Sequence, residues 1–230
     1  MAEWMYGVTT VIHRVEEYLG ETLLSLSKAG FGEPHLFIDG TMSSEFFYAK
    51  FGLDCSCRYP ALGVVGNWVV SMWEMYYRNP KADYYALFQD DLHMSGGAKE
   101  YLERHPFPDN GYANLYTVPR NTRLKPPAMR SGWFPTRGDG QGALGLVIRR
   151  DALKRLLLHR RLVDKPASDR LPKKSLDGMV VSAFAELGMR EFVHFPSIVQ
   201  HGGKLSTLGT PDRPISDCFR GEDFDLVSLL

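Results

Sequence analysis

Two neighbouring carboxylates, Asp90 and Asp91, close an apolar run, Tyr84-Tyr85-Ala86-Leu87-Phe88, and are the residues best placed to do chemistry. Adjacent acids repel unless a cation or hydrogen bonds offset their charge, so the pair favours a divalent metal ion. The plainer alternative is a helix cap beside a solvated acid. A second candidate is His201, between the apolar segment 195–199 and Gly202-Gly203, where glycines let the backbone approach a ligand closely. Lys204, with Ser206 and Thr207, would then supply donors to phosphate; a hydrogen-bonded structural histidine is the alternative. The third is Asp177, near the start of an apolar helix. It is either a carboxylate favoured by the helix dipole or a general base facing the same rim.

These residues need a frame that brings distant segments together, and the hydrophobic pattern supplies one. Residues 6–12, 35–38, 84–88, 143–148 and 192–195 read as strands, and 15–29, 62–77, 96–104, 151–161 and 176–187 as helices. Residues 106–140, rich in Pro, Gly and Arg, read mostly as loop, and the last dozen residues carry no motif. Repeated strand–helix–strand units imply an α/β fold: one domain over 1–230, with a mainly parallel central sheet flanked by helices. Ligands of such sheets gather beyond the carboxyl ends of the strands, where Asp90 and Asp91 emerge.

Composition narrows the class. With 44% apolar and 23% charged residues, the chain is neither disordered nor fibrous. No apolar stretch approaches the ~20 residues of a membrane span, and the N-terminus lacks a signal pattern, so no membrane partner is expected. Cys55, Cys57 and Cys218 cannot all pair within one chain, and one Cys-x-Cys pair is poor zinc spacing, which points to a reducing cytoplasm. The formal charge of zero is uneven. Residues 119–174 hold fifteen Lys or Arg against four acids, an excess of +11. Each of these cations alone is most simply part of a solvated face; together they favour a polyanionic partner, nucleotide phosphates or a nucleic-acid backbone. Arg120, Arg123, Arg160 and Arg161 belong to this stretch, as does Trp133, which with Phe134 would be either a mobile lid or loop packing.

The order of these pieces resembles the nucleotide-sugar glycosyltransferases of the GT-A fold, a Rossmann-like arrangement. The resemblance runs over roughly 6–209: the strand Thr9-Thr10-Val11-Ile12, a second strand ending in Asp39, a helix at Gly66-Asn67, a metal motif at Gln89-Asp90-Asp91, the turn Gly140-Gln141-Gly142-Ala143, the helix-opening Asp177 and the late His201. It implies a nucleotide-binding half over about 1–95, an acceptor- and metal-completing half over about 96–210 and a tail, 211–230. It also implies a divalent cation, Mn2+ or Mg2+, held by Asp91 and His201. Thr9, Thr10, Arg14, Asp39 and Asn67 would line the nucleoside pocket, with Asp90, Gly142 and Lys204 contributing to the nucleotide-sugar site. The first position of the metal motif is usually Asp but is Gln89 here, which leaves metal or ribose contact open for it. Asp177 maps onto the acceptor base of inverting members.

Two sub-groups are similar. The segment 196–201 resembles the end of the catalytic domain in branch-forming N-acetylglucosaminyltransferases. The compact, soluble composition and the +11 stretch are closer to the base J glucosyltransferase and its phage relatives, which glycosylate hydroxymethylated pyrimidines in DNA. The resulting expectation is a UDP-sugar-dependent, inverting glycosyltransferase with duplex DNA carrying 5-hydroxymethylpyrimidine as acceptor. A glycan or small-molecule hydroxyl is the alternative acceptor. A nucleotidyltransferase would open with a glycine-rich loop where this chain has His13-Arg14-Val15-Glu16. A non-catalytic nucleic-acid-binding module leaves the acids and His201 without a task.

Overall fold

The structure, a computed structural model, describes residues 2–138, 142–163, 176–202 and 215–230. Strand β1 (Trp4–Val11) turns through a 3-10 segment, Ile12–Arg14, and a wide π-helical turn, Val15–Leu19, into α1 (Gly20–Lys28). Next come β2 (His35–Asp39), α2 (Ser44–Phe51), β3 (Cys55–Arg58), α3 (Gly63–Arg78) and β4 (Tyr84–Gln89). The middle of the chain forms β5 (Leu92–Met94), α4 (Ala98–Arg104), β6 (Gly111–Asn114), α5 (Pro119–Thr122) and β7 (Gly132–Pro135). It continues with β8 (Gly145–Arg149), α6 (Arg150–Leu157), α7 (Arg160–Val163), α8 (Leu176–Glu186), β9 (Arg190–Phe195) and β10 (Val199–His201).

Among the described residues, one eight-stranded sheet runs in the order β3-β2-β1-β4-β8-β6-β9-β7, and β10 and β5 form a small antiparallel pair beside it. The α/β class is as expected. The half containing β3, β2, β1 and β4 is wholly parallel, while β8 joins β4 and β6 antiparallel and β7 joins β9 antiparallel. Alternation along β4 divides the core: Ala86 and Phe88 face the side covered by α1 and α4, and Tyr85 and Leu87 face α3, α6 and α8.

The stretch expected as loop, 106–140, contains β6, α5 and β7. The strand Gly-Tyr-Ala-Asn and the strand Gly-Trp-Phe-Pro carry no useful periodicity; they become strands because β8 and β9 offer them ladder partners. Gly111 shows how close that pairing is, since a Cβ there would sit 2.0 Å from the Arg190 carbonyl oxygen. Helix α2 and strand β3 were likewise unforeseen. The C-terminal segment without a motif packs on α4: Leu226 is fully buried and Asp225 pairs with Gly96 as a β-bridge. No helix of the described residues is long and apolar enough to cross a membrane.

Candidate active site

The chain passes from β1 to β2 and β3 on one side, then returns to place β4 on the other side of β1. A parallel sheet opens a crevice at such a reversal, beyond the carboxyl ends of the two strands. Arg14 enters from the turn after β1, and Asp90 and Asp91 from the end of β4.

Their side chains form a buried ionic cluster. The Arg14 Nε donates to both Asp90 oxygens at 3.0 and 3.1 Å, and its Nη2 reaches Asp90 at 2.9 Å and Asp91 Oδ2 at 2.8 Å. The guanidinium also lies 4.2 Å over the Tyr18 ring. Thr10 donates its hydroxyl to Asp90, and Thr22 donates its own to the Asp90 backbone carbonyl. Burial pushes the Asp90 carboxyl above its usual value, while Arg14 and Thr10 pull it back. Burial alone would lower the Arg14 pKa; the two carboxylates outweigh it, and the pKa is raised. The guanidinium thus supplies the offset that adjacent acids require.

The other Asp91 oxygen, Oδ1, lies 3.6 Å from His201 Nδ1. Backbone pairing produces this approach: β10 runs antiparallel to β5 with His201 opposite Leu92, and the Gly202 amide donates to the Asp91 carbonyl at 2.8 Å. Ligands ~2.1 Å from one ion sit roughly 3–4 Å apart, so this oxygen and nitrogen fit a shared cation whose remaining positions go to phosphate and water. Among the described residues, no three His, Cys, Asp or Glu side chains enclose an ion by themselves.

The residues expected around the nucleoside hold the backbone of the rim. Asp39 accepts from the Leu62 and Gly63 amides, both at 2.8 Å, and so caps α3. Buried Asn67 donates to the carbonyls of Thr10 and Phe37. The Thr9 hydroxyl donates to the Phe88 carbonyl, and Gln89, level with Thr9 in the sheet, donates its backbone N–H to the Leu144 carbonyl.

Asp177 makes a second clamp of the same kind. It accepts from the Gly142 amide at 2.7 Å and the Ala143 amide at 3.0 Å, fixing the chain where it enters β8. Gly142 has φ +82, and a Cβ there would fall 2.4 Å from the Tyr116 ring. That ring in turn meets His201 edge-on at 5.3 Å. The structure therefore links Asp177, Gly142, Tyr116, His201 and Asp91 in one continuous wall. Gly140, Gln141, Lys204, Ser206 and Thr207 lie outside the described residues.

The expected acceptor residues are spread more widely. Trp133 sits in β7 with its indole N–H donated to the His105 carbonyl. Arg120 lies in α5 and Arg123 follows it; Arg160 and Arg161 lie in α7, where Arg161 binds Glu186 at 2.8 Å. Arg149 pairs with Asp109 at 3.0 Å. Acids from outside the basic stretch thus neutralise part of its excess. Three further participants escaped the sequence: Thr22, Tyr116, and the pair formed by His93 Nδ1 and Glu222 at 3.3 Å, which ties the C-terminal segment to β5.

No family model matches the sequence, and no curated protein matches it. Among solved structures, the chain is similar to one described as a nucleotide-diphospho-sugar transferase from Desulfovibrio desulfuricans, at 12% identity over 84% of this chain and 80% of that one, TM-score 0.48. It is similar to GalNAc-T7 with UDP, GalNAc and Mn2+, at 8% identity over 84% of this chain and 42% of that one, TM-score 0.49. It is also similar to a CMP:2-keto-3-deoxy-manno-octonic acid synthetase complexed with CTP, at 12% identity over 84% and 89%, TM-score 0.48. All three scores fall below 0.5.

Proposed function

We propose that this chain is a divalent-cation-dependent transferase that moves a sugar from a nucleoside diphosphate sugar to an acceptor hydroxyl. The observation that carries this is the buried cluster at the sheet reversal, where Asp91 faces His201 across 3.6 Å and Arg14 secures the opposite carboxylate edge. Asp91 and His201 would hold Mn2+ or Mg2+, and such an ion offsets charge on a departing diphosphate. Thr10, Asn67 and Asp39 keep the rim rigid, so the nucleotide meets a preformed surface. Asp177, through the lone pairs its two amide contacts leave, would take the proton of the attacking hydroxyl, which gives inversion in one displacement.

The test is calorimetric titration of the full chain with UDP, with and without Mn2+. Binding that needs both components supports the transferase; UDP binding indifferent to the ion, or none, sinks it and returns the favour to a plain nucleic-acid binder. For the acceptor, the excess over 119–174 supports duplex DNA carrying 5-hydroxymethylpyrimidine, lessened by the Arg149 and Arg161 pairings. Transfer of labelled sugar to such DNA, beside glycan and small-molecule alcohols, decides between acceptors.

A further inference from the structure

We infer that Arg14 is an internal counter-cation that makes the site refuse a divalent ion until a diphosphate arrives. The inference rests on the transferase function proposed above and assigns its order of binding to one residue.

Formal charge gives the reason. Arg14, Asp90 and Asp91 are each at most 6% exposed, and together they carry −1. A divalent cation entering this cluster alone would leave a net +1 in a water-poor site, and desolvated charge of that kind is costly. The diphosphate of a nucleotide brings two or more negative charges, so ion and nucleotide entering together remove the excess. Each should therefore strengthen the binding of the other by the same factor. Without the guanidinium the two acids carry −2 and match a divalent ion unaided. The geometry is specific to this role. Three of the four Arg14 contacts go to Asp90 and one to Asp91 Oδ2, so Arg14 compensates the pair while Oδ1 is left turned toward His201. The Tyr18 ring beneath the guanidinium and the Thr10 hydroxyl on Asp90 hold the cluster in that arrangement. Arg14 is on this account a positioning residue that sets cation affinity, and it need not touch the sugar.

The experiment follows Mn2+ binding by the loss of its free-ion electron paramagnetic resonance signal, with and without saturating UDP, in the parent, Arg14→Met and Arg14→Lys. In the parent, UDP should tighten Mn2+ binding by ~10²-fold, within the usual range for coupled sites. In Arg14→Met, Mn2+ alone should bind ~10-fold or more tightly than in the parent, and the UDP effect should shrink to match. Arg14→Lys keeps the charge and should keep the coupling. If Arg14→Met proves unfolded, Mn2+ without nucleotide should restore its thermal transition, whereas the parent's midpoint should not respond to Mn2+ alone. Unchanged ion affinity in a folded Arg14→Met, or no rescue of an unfolded one, overturns the role of Arg14 while the transferase proposal stands. A parent that fails to bind Mn2+ even with UDP overturns both.

Discussion

Acids along one rim of the sheet are handled in opposite ways. At the start of α8, both Asp177 oxygens accept backbone amides, as both Asp39 oxygens do at the start of α3. At the end of β4, Asp91 gives one oxygen to Arg14 and turns the other toward His201. The contrast teaches that a carboxylate's task is set by what faces it. Amides fix a backbone around the first kind; on the proposed function, a cation and an imidazole leave the second kind able to exchange one partner for an ion.

The largest effect that can break this contrast comes from Asp91. Asp91→Ala should weaken Mn2+-dependent UDP binding by ~10²-fold or more, the loss expected when one of two protein ligands to an ion is removed. Arg14 keeps Asp90 as a partner, so circular dichroism should be unchanged; calorimetry that finds UDP bound as in the parent refutes the ion assignment.

Asp177→Asn is the sharper test of the amide-held acids. Asparagine keeps the shape but replaces one amide-accepting oxygen with a donor and removes basicity. Transfer should fall by ~10²-fold with UDP and Mn2+ binding within a few-fold of the parent. A fall in transfer matched by an equal fall in thermal stability would make Asp177 a clamp alone, like Asp39. A product with the donor's own anomeric configuration, read by nuclear magnetic resonance, would also remove the inverting scheme.

A third test asks whether the mixed half of the sheet is held by neutral groups, in contrast to the ionic rim. His194 is completely buried, hydrogen-bonded to Tyr101 and to the Pro196 carbonyl, and burial lowers its pKa to about 4. The unfolded chain takes up a proton near pH 6.5 and the folded one only near 4, so stability is lost as pH falls through that window. The contribution is about 2 kcal/mol between pH 6.5 and 4.5. Urea unfolding of His194→Gln should show an acid loss smaller by that amount; an identical pH dependence would mean that His194 titrates normally. His35, lowered to about 4 by burial, adds a loss of the same sign in both proteins.

The smallest expected change is at Asp39. Asp39→Ala removes the cap on α3 and should lower stability by about 1–2 kcal/mol. Chemical unfolding measures it, and a loss no larger than a surface substitution's would show that the Leu62 and Gly63 amides find other partners.

Much of the frame was legible because it lies in local pattern. The alternating and continuous apolar runs gave β1, β2, β4, β8 and β9, and helical spacing gave α1, α3, α4, α6 and α8. Of the missed strands, β3, β6 and β7 are four-residue segments that are extended only because a longer neighbour supplies their ladder. The C-terminal segment was opaque for a similar reason, since Leu226 is core only once α4 is in place.

For the site, residue types and the strand-end position of Asp90 and Asp91 were determined by the sequence alone, as was the charge imbalance over 119–174. What meets what was decided by tertiary structure. The spacing from Asp91 to His201 is 110 residues, and no periodicity reports that an antiparallel pairing of β5 with β10 closes it to 3.6 Å. Nor can a sequence say that Arg14, 76 residues before Asp90, supplies the offsetting charge, while amides rather than ions occupy Asp39 and Asp177. Charge and hydrogen bonding act over a few ångströms in space, whereas the pattern in a chain records only its neighbours along the backbone.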